Sequence, residues 1–316
     1  MDKRFTVGID IGGQSSKIGV VSEDAEIIAR DVLDMKGYGP DDAGLFLDEL
    51  CGKVSELASV VGLEEIKGIG IGAPNGNYYT GTIEFAPNLP WAKDKTVFLG
   101  EGVTHRLSLP TVITNDANAA AIGEMTYGAA RGMKDFIEIT LGTGVGSGIV
   151  RGGNLVYGHD GYAGELGHVI AVRGGRRCGC GRNGCLEAYA SATGVARTAQ
   201  EWLEDGSRES VLRGIGNITS KDVFDAAVQG DSLAVRIFEY TGRILGECFA
   251  NFVAFSAPEA IIVFGGLAEA GDLLMNPIRE SFEENVLTLW KGKVKIIRSG
   301  LKASDAAILG ASALAW

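Results

Sequence analysis

Six chemically capable side chains crowd into residues 164–187: Glu165, His168, Cys178, Cys180, Cys185 and Glu187. The chain of 316 residues has only three histidines and five cysteines, so composition does not explain the cluster. The order is E-x-x-H, nine residues, then C-x-C-x4-C-x-E. One imidazole and three thiolates complete a tetrahedral set, which is what a structural zinc site requires. A catalytic zinc keeps one position open for water, and four protein ligands leave none. The bland alternative is three unpaired thiols in a Gly-rich loop. The Cys-x-Cys spacing with a nearby Cys and His favours the metal. A disulfide is disfavoured, because Cys178 and Cys180 stand too close in sequence to bridge well. A zinc knot would also hold Glu165 and Glu187 rigidly, as recognition of a polar substrate needs.

The elements around this segment begin with a β-rich stretch at 5–11, a tight turn at 12–15 and two further strands, 17–22 and 27–32. Gly12 and Gly13 let backbone N–H groups face a phosphate with no Cβ in the way. Asp10 stands at the mouth of that turn. It can hold Mg2+ through water, or it can simply stabilise the turn; these residues alone leave both readings open. The plan recurs at 136–157: an apolar strand, the turn Gly142-Thr143-Gly144-Val145-Gly146, then a strand, a Gly-Gly turn and a strand. The repetition predicts an internal duplication. Neither G-x-G-x-x-G opening a helix nor a G-x4-G-K-[ST] loop occurs, so dinucleotide and P-loop readings are set aside.

Apolar periodicity predicts a helix over 41–61, with Cys51 on its buried stripe, and a buried strand over 66–72. A turn follows at 73–76, then a hairpin over 80–88. The stretch from 110 reads as a strand running into a helix over 117–127. Asp116 sits at that helix N-terminus, where the dipole favours a carboxylate; a plain cap would explain it. Further helices are expected at 187–203, 219–228 and 232–255, with Cys248 as packing. Strands at 260–264 and 294–297 and a helix at 303–315 complete the chain.

The segments E165-L-G-H168 and C178-G-C180-G-R-N-G-C185-L-E187 resemble the signature of the ROK family of sugar kinases and sugar-responsive repressors. Matches run from the first strand to the last helix. The resemblance implies a two-domain α/β actin-like (ribonuclease-H-like) ATPase fold with a zinc-knuckle insertion. The first domain would span 1–118, the second 119–302, with the helix after 303 packing back on the first. It implies an ATP-dependent kinase acting on a hexose, glucose O6 before others, with ATP, Mg2+ and structural Zn2+. His168, Cys178, Cys180 and Cys185 would bind the zinc. Glu165, Glu187 and His168 would contact sugar hydroxyls. The P-N-L segment makes Asn88 a sugar ligand, although a turn-forming Asn explains it too. The N-D-A-N segment makes Asp116 the general base and Asn115 a sugar ligand. Gly265 and Gly266, closing the strand at 260–264, would lie against the adenosine. The sequence departs from the family at Gln14, where Thr is usual, and at Asn75, where Gly is usual. A kinase for N-acetylmannosamine or fructose, and a non-catalytic sugar sensor, are the rival readings.

Composition bounds the rest. The net charge of −11 and pI of about 4.9 argue against nucleic-acid or anionic-membrane partners. The strand starting near residue 5 leaves no room for a preceding DNA-binding domain. No apolar leader or spanning run is evident, and free thiols suit a reducing cytoplasm. Glycine is abundant, at 47 residues, without a collagen period. A small-molecule hexose is the expected partner, and the resemblance adds a homodimer.

Overall fold

The computed structural model describes residues 4–204, 206 and 209–316; residues 1–3 of the predicted first domain lie outside that set. In chain order come β1 (Phe5–Ile11), β2 (Ser15–Ser22), β3 (Ile27–Asp34), α1 (Ala43–Ala58) and β4 (Ile66–Gly72). Three short strands follow, β5 (Gly76–Asn77), β6 (Thr82–Glu84) and β7 (Thr96–Val97), then α2 (Leu99–Leu107), β8 (Thr111–Thr114) and α3 (Asp116–Tyr127). The remainder holds β9 (Phe136–Leu141), β10 (Val145–Arg151), β11 (Asn154–Leu155), α4 (Glu187–Ala190), α5 (Ala192–Glu204), α6 (Ser220–Val228) and α7 (Ser232–Ser256). It ends with β12 (Ala260–Phe264), α8 (Asp272–Asn285), β13 (Lys295–Arg298) and α9 (Ala306–Ala313).

Two five-stranded sheets carry the fold, in the orders β3-β2-β1-β4-β8 and β11-β10-β9-β12-β13. In each, three strands meander antiparallel and two more join in parallel. The duplicated strand–turn–strand plan of the sequence therefore becomes two sheets of matching topology. Each sheet has its own core. Val7, Ile9, Leu50, Val54 and Trp91 are fully buried around the first; Ile139, Val195, Phe238, Phe249 and Ile261 around the second.

Small residues set how closely layers approach. A Cβ at Gly8 or Gly70 would collide with the carbonyls of Ile308 and Ala311, so α9 lies directly on β1 and β4. A Cβ at Gly148 would stand 3.1 Å from Ala117 O, which lets α3 lie on β10. On one side the two halves also meet through loops. Asn77 Nδ2 donates to Asp160 O at 2.8 Å, Tyr79 OH donates to Gly158 O at 2.9 Å, and Tyr78 stacks on Tyr157 with ring centroids 4.1 Å apart.

Three expectations change. The helix expected over 187–203 is two helices, α4 and α5, broken at Ser191, whose backbone is extended. Ser191 Oγ accepts from Gly194 N–H, and Ala192 N–H donates to Gly142 O, so the break ties the helix to the Gly-rich turn. The hairpin expected over 80–88 is a three-stranded sheet, β5-β6-β7, whose third strand comes from 96–97. Helices α2 and α8 were not expected. The Pro277 ring of α8 sits in the middle of its helix and packs at Gly242 of α7. Among the described residues no helix is long and apolar enough to cross a membrane.

Candidate active site between the two sheets

A cleft of about 580 Å3 opens between the two halves. Strand β1 brings Asp10 to it, and the loop after β6 brings Asn88. The β8–α3 junction contributes Asn115 and Asp116. The second half supplies Gly142 and Gly144 from the β9–β10 turn, Glu165 and His168, Glu187 at the start of α4, and Gly265 and Gly266 after β12. Residues spread over most of the chain thus share one cavity. Gly12 and Gly13 flank it: a Cβ at Gly13 would stand 3.0 Å from Asn88 O. Thr143 lies in an adjoining, mainly apolar pocket of about 460 Å3, which shares Gly142 and Gly266 with the cleft.

The α3 N-terminus differs in detail from a plain Asp cap. Asn115 is the capping residue, its Oδ1 accepting from Asn118 N–H at 2.7 Å. That frees Asp116, one residue further on, to face the cleft. Its Oδ1 accepts the near N–H of Ala117, at 3.0 Å. Water reaches Asp116 through the cleft mouth, but protein surrounds the carboxylate elsewhere, and this burial raises its pKa against the Ala117 bond. Burial, then the charge of Asp116, pushes Asp10 up to about 6, with Lys17 opposing. Glu165 is raised chiefly by burial, with Asp116 and Glu187 adding and His168 opposing.

Glu187 is fixed from three sides. Its Oε2 accepts from Val145 N–H at 3.0 Å, and its Oε1 lies 3.5 Å from Cys178 Sγ. A Cβ at Gly144 would collide with Oε2, so the Gly-rich turn can approach only because position 144 is glycine. The loop bearing Glu165 and His168 is pinned to β10 by Ser147, which donates to Gly164 O and accepts from Leu166 N–H.

Behind this wall, ligand atoms of His168, Cys178, Cys180 and Cys185 lie within 4.8 Å of one another. Cys180 Sγ is 3.6 Å from Cys185 Sγ, and Cys178 Sγ is 3.8 Å from His168 Nδ1. With Zn–S bonds of about 2.3 Å, tetrahedral angles put two sulfurs about 3.8 Å apart, so the donor set fits zinc. His168 would ligate through Nδ1, which leaves Nε2 on the Glu165 side, 4.0 Å from Oε2.

The cleft also holds side chains the sequence did not single out. Lys17 pairs in register with Asp10, so both point to the same face. That register follows from a hairpin turning at 12–14 and was available in the sequence. Asn75 and Tyr162 also line the cleft. Asn75 stands at φ 52°, the left-handed region for which glycine is the usual choice, and this explains the departure at that position. No local pattern marks Tyr162.

A family model for the ROK family matches residues 6–316. The chain belongs to the ROK family. A glucokinase of Halalkalibacterium halodurans is 37% identical over 91% of this chain and 88% of its own length. The ROK family glucokinase of Streptomyces griseus, solved in complex with glucose and AMPPNP, superposes with a TM-score of 0.79 at 36% identity, covering 98% of both chains. The N-acetylglucosamine repressor of Escherichia coli O157:H7 is 31% identical over 68% of this chain, but that match spans only 52% of the repressor. The two-sheet α/β architecture is the actin-like fold of the ROK sugar kinases.

Proposed function

We propose that this ROK protein is an ATP-dependent hexose kinase that phosphorylates glucose at O6, with Asp116 as general base. The observation that supports the reading is that Asp116 lines one cleft with Asn88, Asn115, Glu165, His168 and Glu187 and with Gly142 and Gly144 of the Gly-rich β9–β10 turn. Glucokinases among its relatives support glucose as the sugar.

Asn88, Asn115, Glu165, His168 Nε2 and Glu187 would grip ring hydroxyls; carboxylates suit the task because each accepts two or more hydrogen bonds. Asp116 would take the hydroxyl proton, and its raised pKa makes it a better base than an Asp of ordinary pKa. Gly13, Thr143 and Gly144 would present backbone N–H groups to the phosphates, while Gly12 and Gly142, whose N–H groups close the turns on Ser15 O and Gly144 O, would let the chain approach them without a Cβ. The adjoining apolar pocket, lined by Gly266 beside Gly265 of the cleft, would take the adenine ring. Asp10 would hold Mg2+, which supplies charge neutralisation for the loose phosphoryl transition state. His168, Cys178, Cys180 and Cys185 would hold the zinc that fixes the sugar wall. Residues 1–118 with 303–316, and residues 119–302, would form the two lobes that close and exclude water. The thiolate ligands suit a reducing, cytoplasmic setting.

The test is coupled ADP release with ATP and Mg2+ over a panel of hexoses that includes N-acetylmannosamine and fructose, run beside Asp116→Asn. Sugar-dependent release that falls by about 10^2–10^4-fold in the variant, with sugar binding kept, is the expected result. A panel in which glucose is not preferred would move the substrate. Sugar binding with no turnover would make the protein a sensor.

A further inference from the structure

We propose that Asn75 determines sugar specificity, selecting a hexose with free hydroxyls over one that bears a bulky N-acyl group. The inference rests on the reading of the cleft as a hexose site.

Asn75 occupies a tight turn at the end of β4, where Gly76 N–H donates to Ala73 O at 3.0 Å. A Cβ at Gly76 would collide with the Thr114 carbonyl, so position 76 cannot carry a side chain. Position 75 can, and its φ of 52° would admit glycine equally well. What asparagine adds is a carboxamide at the wall of the cleft that Asn88 and Glu165 also line.

That carboxamide is held in one orientation. Nδ2 donates to Glu84 O at 2.9 Å and to Phe85 O at 3.2 Å. Two carbonyl partners can be satisfied only by the nitrogen, so the flip state is fixed and Oδ1 is turned away from them. The result is a rigid amide on the cleft wall, its Oδ1 not used by those two bonds, with volume that a glycine would leave open. A site built to receive a hydroxyl hydrogen rejects a ligand that replaces it with something larger or lacks the donor. The same clamp supports Phe85, itself at φ 49° and three residues before Asn88. Asn75 can therefore act by direct contact or by positioning, and the test must separate the two.

Asn75→Gly does so, because glycine keeps the turn without strain. Initial rates with glucose, mannose, N-acetylglucosamine and N-acetylmannosamine are measured on both proteins. The expected result is a fall of roughly tenfold or more in the kcat/KM ratio of glucose to N-acetylglucosamine, carried by KM. The mannose pair should move the same way. The double variant Asn75→Gly/Phe85→Gly, which no longer needs the clamp, should keep the lowered ratio. An equal rise in KM for every sugar, with ratios unchanged, would overturn the proposal in favour of a clamp alone. Calorimetric binding of the same sugars without nucleotide reads the ratio independently of turnover. If the parent binds hexoses but does not phosphorylate them, the kinase reading fails and the binding ratio still decides this one. A parent that binds no hexose sinks both.

Discussion

His168 turns Nδ1 towards Cys178, 3.8 Å from its Sγ, and so presents only Nε2 to the substrate side. In the proposed reading, metal and sugar would share one imidazole. Substituting a cysteine that never touches sugar should weaken sugar binding. Cys180 is the suitable choice, because its side chain is exposed and its loss costs little packing. Cys180→Ser should lose bound zinc, lower Tm by more than about 5 °C and raise the sugar KM several-fold. Metal analysis, melting and kinetics read these in turn. A variant that keeps its sugar KM after losing the metal would separate the two sites.

Gly144 stands against the Glu187 carboxylate. Gly144→Ala must displace either the Gly-rich turn or Glu187, and Glu187 is also held by Val145 N–H. Both the proposed sugar wall and the proposed phosphate turn would be disturbed together. The expected outcome is a fall in kcat/KM of roughly a hundredfold, with Tm little changed. Gly142→Ala is the control, since a Cβ there meets nothing within 4 Å; equal losses in the two variants would count against the Glu187 explanation.

Glu138 is fully buried on β9, with Thr140 Oγ1 donating to its Oε1 at 2.9 Å. Burial pushes its pKa well above the ordinary carboxylate range; the Thr140 bond opposes this, and the charges of Glu124 and Asp116 add to it. An unfolded chain releases this proton near pH ~4.3. The folded protein retains it to higher pH, so the stability tied to Glu138 is full below that value and is lost as pH rises towards the folded pKa. Glu138→Gln removes the dependence. At pH 8 the variant should melt at a higher temperature than the parent, and the gap should shrink steadily towards pH 4.5. A variant that melts lower at pH 8 would mean that the native carboxylate is ionised and stabilised.

The motifs were legible because their chemistry is local. The cluster at 164–187, the N-D-A-N segment and the two Gly-rich turns each stand out within a few residues, and members of the first two line one cavity with Gly142 and Gly144 of the second turn. β-rich and apolar runs likewise marked the strands of both large sheets, and the 3.6-residue period marked helix α1. The misses were non-local. Nothing near Ser191 signals that Ala192 N–H will be claimed by Gly142. The edge strand β7 is two residues long and exists only because β6 lies beside it. Helix α8 carries a proline that speaks against a helix, and packing on Gly242 outweighs it. Glu138 did give a signal, a lone charge inside an apolar strand, but its neutral state depends on burial.

The contact of α9 with Gly8 and Gly70 bears on how the protein is made. The first sheet emerges from the ribosome with β8, but the helix that covers one of its faces is translated only after the entire second sheet. Until then, the backbone at Gly8 and Gly70 has no cover from α9, and the nascent first half cannot reach its final packing. Final packing of the first half therefore waits for α9, and strictly vectorial, lobe-by-lobe folding cannot complete it before the end of the chain is made.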